Sequence, residues 1–137
     1  MNLLNGASFQ RMEGALQAAE MRQRVISNNV ANNDTPHFKR SEVLFETLLE
    51  QTLGNNQGKL NGQRTNEKHI SIGSASSKIP IPKLITDETT AMNNNQNNVD
   101  IDREMSLLAK NQLSYSVYVQ QINHEVRMIR TAIEGRG

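Results

Sequence analysis

The chain has 137 residues, 36% of them hydrophobic and only three Phe and two Tyr among the aromatics, so it is one domain at most, with a thin core and an elongated shape. Its 15 basic and 14 acidic residues leave a net charge of +1, and no charge excess directs it to nucleic acid or an anionic membrane. Cysteine is absent, which excludes a disulfide framework and thiol catalysis.

The chain opens on MNLLNGASFQRMEG, without the charged n-region and apolar stretch of a secretory signal. No apolar run approaches the roughly 20 residues that span a bilayer. The expectation is a protein with no transmembrane segment that either stays in the cytoplasm or leaves it by a route that reads another signal. From Phe9 a 3,4 alternation runs through Met12, Leu16, Ala19, Gln23, Ile26 and Val30, the seam of a helix that packs on another helix. Ser8 is the expected N-cap. Asn32, Asn33 and Asp34–Thr35–Pro36 end the helix, since asparagine tolerates the left-handed conformation and Pro36 pushes Thr35 out of the helical region.

The middle of the chain changes character. SEVLFETLLEQTL (41–53) has the spacing of a short amphipathic helix capped by Ser41, with Leu44, Leu48 and Leu49 near one face. Residues 54–78 are rich in Gly, Asn and Ser and are expected to be disordered, because burial cannot offset their ordering entropy. IPIPKLIT (79–86) reads as extended, as Pro80 and Pro82 exclude a helix and a central strand. NNNQNN (93–98) is a second polar joint; it lacks the glycine and terminal glutamate of a calcium loop.

A second seam closes the chain: Ile101, Met105, Leu108, Gln112, Tyr115, Val119, Ile122, Val126, Ile129 and Ile133. Asp100 or Asp102 caps this helix, Glu104 in its first turn and Arg127 and Arg130 in its last turns oppose the macrodipole, and Gly135 and Gly137 stop it. Leu113, Val117, Tyr118 and Met128 widen its apolar face beyond what one antiparallel partner covers. The fold class expected is mainly α: long N- and C-terminal helices paired as a coiled coil around a partly disordered middle. It divides into 1–35, the first helix; 36–100, a short helix, loop and extended segment; and 101–137, the last helix, with both ends in one helical assembly domain. The C-terminal helix, roughly 50 Å at 1.5 Å per residue against about 36 Å for its partner, should overhang it. A helical hairpin folded on the middle segment is the plainer alternative. Gln23 and Gln112, the polar exceptions, either face each other or a neighbour's amide and select register, or lie at a wet edge.

Chemistry is sparse. His37, His69 and His124 have no metal-ligand spacing, and no phosphate loop, nucleophile motif or carboxylate pair stands out. The expectation is a non-enzyme with no catalytic residues, no cofactor, no metal and no small-molecule substrate.

SNNVANNDTPHFKR (27–40) resembles the N-terminal motif of the bacterial flagellar rod and hook family, an Asn-Asn-aliphatic-Ala-Asn element leading to Thr-Pro-Gly-aromatic. Asn28, Asn29, Ala31, Asn32, Thr35, Pro36 and Phe38 match it, and His37 stands in place of the Gly. NNVDIDREMSLLAKNQLSYSVYVQQINHEVRMIRTAI (97–133) is similar to the C-terminal end of rod subunits in that family. The resemblance covers roughly 9–50 and 92–134.

That resemblance implies a structural subunit of the proximal rod of the flagellar basal body. Its implied place is the cell envelope outside the cytoplasmic membrane, with other rod subunits, a basal-body adaptor and the export gate as partners. Export would run through the type III channel without a cleaved signal peptide, and motility would depend on the rod. A cytoplasmic helical adaptor or export chaperone is the competing class. The terminal seams are the candidate subunit and helix interface. The asparagines Asn28, Asn29, Asn32 and Asn33 either fix the joint after the first helix by bonding backbone or a neighbouring subunit, or form a plain solvated helix stop.

Overall fold

The computed structural model describes residues 6–54, 79–92 and 95–135. In chain order these form α1 (Ala7–Ala31), β1 (Ser41–Leu44), α2 (Glu46–Gly54), β2 (Lys83–Thr86) and α3 (Ile101–Glu134). The protein is mainly helical, and its two long helices pack together as expected. Of the residues 54–78 expected to be disordered, Gly54 ends α2 and the rest fall outside the described residues, as does the stop expected of Gly137.

α1 and α3 are antiparallel: Asn29 meets Glu104, and Ala19 meets Asn111 further along α3. With this register the last turns of α3 run roughly 12–16 Å past Ala7, at 1.5 Å per residue. Small residues stand on the packed side of α1, where Gly14 admits Phe45 and Ile79. Gly14, Ala18 and Ala19 are buried on α1 together with Ile26 and Asn29.

One helix end differs from expectation. α1 starts two residues before Phe9, with Gly6 at the N-cap and no side-chain cap bond, so Ser8 lies inside the helix. On α3 the cap is Asp100, whose Oδ1 accepts from the amides of Asp102 and Arg103 at 3.0 and 3.2 Å; Asp102 sits in the first turn. Arg130 pairs with Glu134 at 2.8 Å. Gly135 ends the helix at φ 63°, the left-handed conformation that glycine adopts without a steric penalty.

The short helix expected over 41–53 is a correction. Its first four residues are β1, which pairs antiparallel with β2 in the register Ser41↔Thr86, Glu42↔Ile85, Val43↔Leu84 and Leu44↔Lys83; only Glu46–Gly54 is helical. Long-range pairing overrides the local helical pattern here, because extended residues 83–86 offer a ladder and Val43 then points into the core. β2 begins directly after Pro82, at a sheet edge where the missing donor is harmless. The small core comprises Ala18, Ala19, Ile26, Val43, Phe45 and Val99.

Candidate functional site: a polar clasp and an outward helix face

Where α1 ends, the chain must satisfy the open carbonyls of the last helical turn and turn back toward β1. The two asparagine-rich motifs do this together. Asn29, 1% exposed, donates from Nδ2 to the Ser41 carbonyl at 2.9 Å and accepts at Oδ1 from the Ser41 amide at 3.1 Å. Its amide thus takes the place of a strand partner for β1. The same Nδ2 also donates to Glu104 Oε2 at 3.0 Å, tying α1 to α3.

Asn97, fully buried, donates from Nδ2 to the carbonyls of Asn32, Asn33 and Thr35 at 2.8–2.9 Å. A side chain distant in sequence thereby caps the C-terminus of α1. Asn98 Oδ1 accepts from the Arg40 amide at 2.6 Å, and its Nδ2 donates to the Asp87 carbonyl and to Thr90 Oγ1 at 2.9 Å.

A buried ion pair joins these strands of contact. Arg40 Nε donates to Glu104 Oε1 at 2.5 Å, with the two side chains 9% and 0% exposed, and Arg40 Nη1 reaches Glu42 at 2.9 Å. Burial alone would lower the Arg40 pKa, but the hydrogen bonds it donates to Glu104 and Glu42 outweigh it and hold the pKa above its ordinary value. The guanidinium therefore stays charged.

Asp87 closes the periphery. It accepts from Thr90 Oγ1 at 2.7 Å and from Thr89 Oγ1 and the Thr89 amide at 2.9 and 3.0 Å. These bonds, that from Thr90 foremost, lower its pKa to about 2.

Of the motif residues, Asn29 is buried in the clasp; Asn32 and Phe38 are half-buried; Asn28, Ala31, Thr35 and Pro36 are exposed. Asn32 is the C-cap of α1, its Nδ2 bonded to the Asn28 carbonyl at 2.8 Å. Asn33 bonds only its neighbour Asp34 among the contacts of its side chain described, at 3.4 Å. His37, in the Gly place of the family motif, has φ 62°. That is the backbone conformation a glycine serves best.

The seams fare differently on the two helices. On α1, Ile26 is buried and Phe9, Met12, Leu16, Gln23 and Val30 are half-buried. On α3 the residues that bond α1 are Glu104 and Asn111, both buried and one position before the apolar seam, with Tyr118 and Glu125 half-buried in the same row. Leu108, Val119, Ile122 and Ile129 are half-buried beside it, whereas Met105, Gln112, Tyr115, Val126 and Ile133 point outward. Gln23 therefore meets Asn111, whose Nδ2 lies 3.4 Å from Gln23 Oε1 and 2.9 Å from the Ala19 carbonyl. It does not face Gln112.

Arg40, Asn97, Asn98, Glu104 and Asn111 are the residues that sequence reasoning missed as partners. Their signal is the recurrence of Asn-Asn at both helix boundaries. Among the described residues no group of three or more His, Cys, Asp or Glu is placed to hold a metal ion, and no helix is long and apolar enough to cross a membrane.

A family profile described as "Flagella basal body rod protein" matches residues 10–39, which hold most of α1 and the turn after it. The flagellar basal body rod protein FlgB of Bacillus subtilis is 35% identical over 135 residues, 98% of each chain. FlgB of Borreliella burgdorferi is 38% identical over 87% of this chain and 90% of its own, and that of Borrelia hermsii 36% over the same shares. Near-full-length identity of this size, spanning both halves of the clasp, places the chain in the FlgB family of flagellar basal body rod proteins.

Proposed function

We propose that the chain is a structural subunit of the flagellar basal-body rod, with other rod subunits as its partners. The single observation that carries this reading is the full-length likeness to FlgB proteins. The outward apolar face of α3 supports it, since Met105 is 50% and Ile133 69% exposed on a helix already packed against α1. A cytoplasmic adaptor or chaperone is not favoured by that likeness.

The finer assignments belong to the same reading. The terminal helices form one assembly domain, and their seams, from Phe9 to Val30 and from Met105 to Ile133, contact neighbouring subunits. The adaptor and the export gate lie at the inner end of the rod. The subunit reaches the envelope through the type III channel without a cleaved signal peptide, and its role is architectural, not catalytic.

Detection of the protein in purified basal bodies, against the cytosolic fraction, tests the function. Val126→Asp should prevent incorporation but permit export, because a carboxylate in a helix interface is desolvated without a partner at a cost of several kcal/mol. Deleting residues 56–66 should do far less. A protein confined to the cytosol would overturn the rod reading; incorporation of Val126→Asp alongside loss of assembly on the deletion would move the interface to the middle segment.

A further inference from the structure

Among the described residues the sheet has two strands, so β2 is paired on one side only. The phase of the ladder fixes which of its groups are used. The Asp87 amide donates to the Arg40 carbonyl at 2.9 Å, one step beyond the pair Ser41↔Thr86, so Lys83, Ile85 and Asp87 turn their amides and carbonyls toward β1. Leu84 and Thr86 turn theirs away. On β1 the same phase points the Ser41 amide and carbonyl away from β2, and there the Asn29 side chain bonds both. One edge of the sheet is thus closed by a buried asparagine, and the other is open.

The open edge is apolar as well. All four residues of β2 are exposed, with Leu84 at 51% and Ile85 at 43%, and an edge of this kind templates a further strand unless something limits it. Pro80 and Pro82 stand in the outward phase without an N–H to give. Within β2 the edge therefore offers two donors, at Leu84 and Thr86, and a partner strand must fit that short stretch.

β2 fits itself. When two copies run antiparallel about a two-fold axis, the register that opposes Leu84 with Thr86 of the partner subunit uses all four outward donors. It centres Ile85 on Ile85 of the partner subunit, and on the same face it sets Lys83 against Asp87 of the partner subunit, twice; apolar and opposite-charge pairs across strands are both favourable. Shifted registers lose this match. With Leu84 opposite its own copy, Thr86 meets a proline that cannot donate; with Thr86 opposite its own copy, Ile85 meets a carboxylate.

We propose that the open edge of β2 pairs with β2 of a second copy of this chain, antiparallel about a two-fold axis, in the unassembled protein. The two sheets become one of four strands whose outer edges are both closed by Asn29. A two-fold contact of this kind closes on itself, so it covers the edge without propagating into a filament. The pairing goes beyond the rod-subunit reading and does not depend on it.

The chain has no cysteine of its own, so single cysteines report the contact. Under mild oxidation of the purified full-length protein, Ile85→Cys should link to itself about tenfold faster than Ile81→Cys, as expected of a held pair, although Ile81 is the more exposed at 83%. In the proposed register the two copies of residue 85 lie about 4.5 Å apart at Cα, within disulfide reach, whereas those of residue 81 are separated by about 27 Å along the strands. Adding Lys83→Glu, which opposes two carboxylates at each end, should reduce the linkage about fivefold, and Lys83→Arg should preserve it. In the unmodified protein the Leu84 and Thr86 amides should gain protection from hydrogen exchange only as the concentration is raised. Equal linkage of Ile85→Cys and Ile81→Cys would overturn the proposal and leave the edge to a different protein or to none. Faster linkage that Lys83→Glu leaves unchanged would overturn the register. Protection of both amides in dilute monomer would show that another part of the same chain covers the edge, and the proposal would fall.

Discussion

His37 holds φ 62°, and an L-residue there is strained by about 1–2 kcal/mol relative to glycine. The turn is kept because the His37 amide donates to the Asn95 carbonyl at 3.0 Å and its ring meets Gln96 Oε1 at 3.2 Å. Relieving the strain should outweigh the loss of the exposed ring contact. His37→Gly should therefore raise unfolding stability by about 0.5–1 kcal/mol, read as a higher denaturant midpoint at unchanged m-value; a lower midpoint would mean the ring contact matters more than the backbone. Glu104 has a larger stake. Its removal leaves Arg40 charged and buried, so Glu104→Ala should cost about 3–5 kcal/mol, and Arg40→Met combined with Glu104→Leu should recover part of it. A loss below 1 kcal/mol for Glu104→Ala would show that water replaces the carboxylate. Neither residue announces this in the sequence: they lie 64 positions apart, and Glu104 has a sufficient local explanation as a first-turn acid that complements the helix dipole.

At the scale of elements, the long helices and the cap at Asp100 were legible because periodicity and capping are local signals. The strand β1 was not, since Ser41–Leu44 becomes extended only through its ladder to Lys83–Thr86. The face of α3 that packs on α1 was also hidden. Apolar periodicity finds the apolar seam, whereas the packed row is led by Glu104 and Asn111, whose hydrogen bonds with Asn29 and Ala19 replace apolar contact. Gly14 was equally silent, yet a Cβ there would meet Ile79 Cγ2 at 3.0 Å and the Phe45 ring at 3.2 Å. Gly14→Val should cost about 1–3 kcal/mol by overpacking, and a thermal melt unchanged from the parent would show that Phe45 and Ile79 yield freely. The Asp87 turn gives the same layer a pH signature. Its folded pKa, about 2, lies below the ordinary 3.8, so its contribution is complete above pH 4 and is lost as the pH falls toward 2. Asp87→Asn should flatten that part of the stability profile; an identical acid limb in the variant would assign the loss to other carboxylates.

For the molecule as a whole, burial among the described residues is concentrated around the clasp. The clasp joins α1, β1 and α3 around Asn29, Arg40, Asn97 and Glu104, all buried. Along α3 no residue is buried beyond Asn111. A helix without a packed face is marginal in water, since propensity alone holds it only weakly. In the isolated subunit, amide hydrogen exchange should thus be slow at 18–31 and 100–112 and faster by about two orders of magnitude at 120–134, as low local stability exposes those amides. On the proposed rod reading, assembly would order that end by covering its apolar side. This division suits a subunit that must hold one joint as a monomer and complete its helices only among neighbours. Uniform protection along α3 in dilute protein would show that the helix stands without partners, and the coupling of helix completion to assembly would be lost.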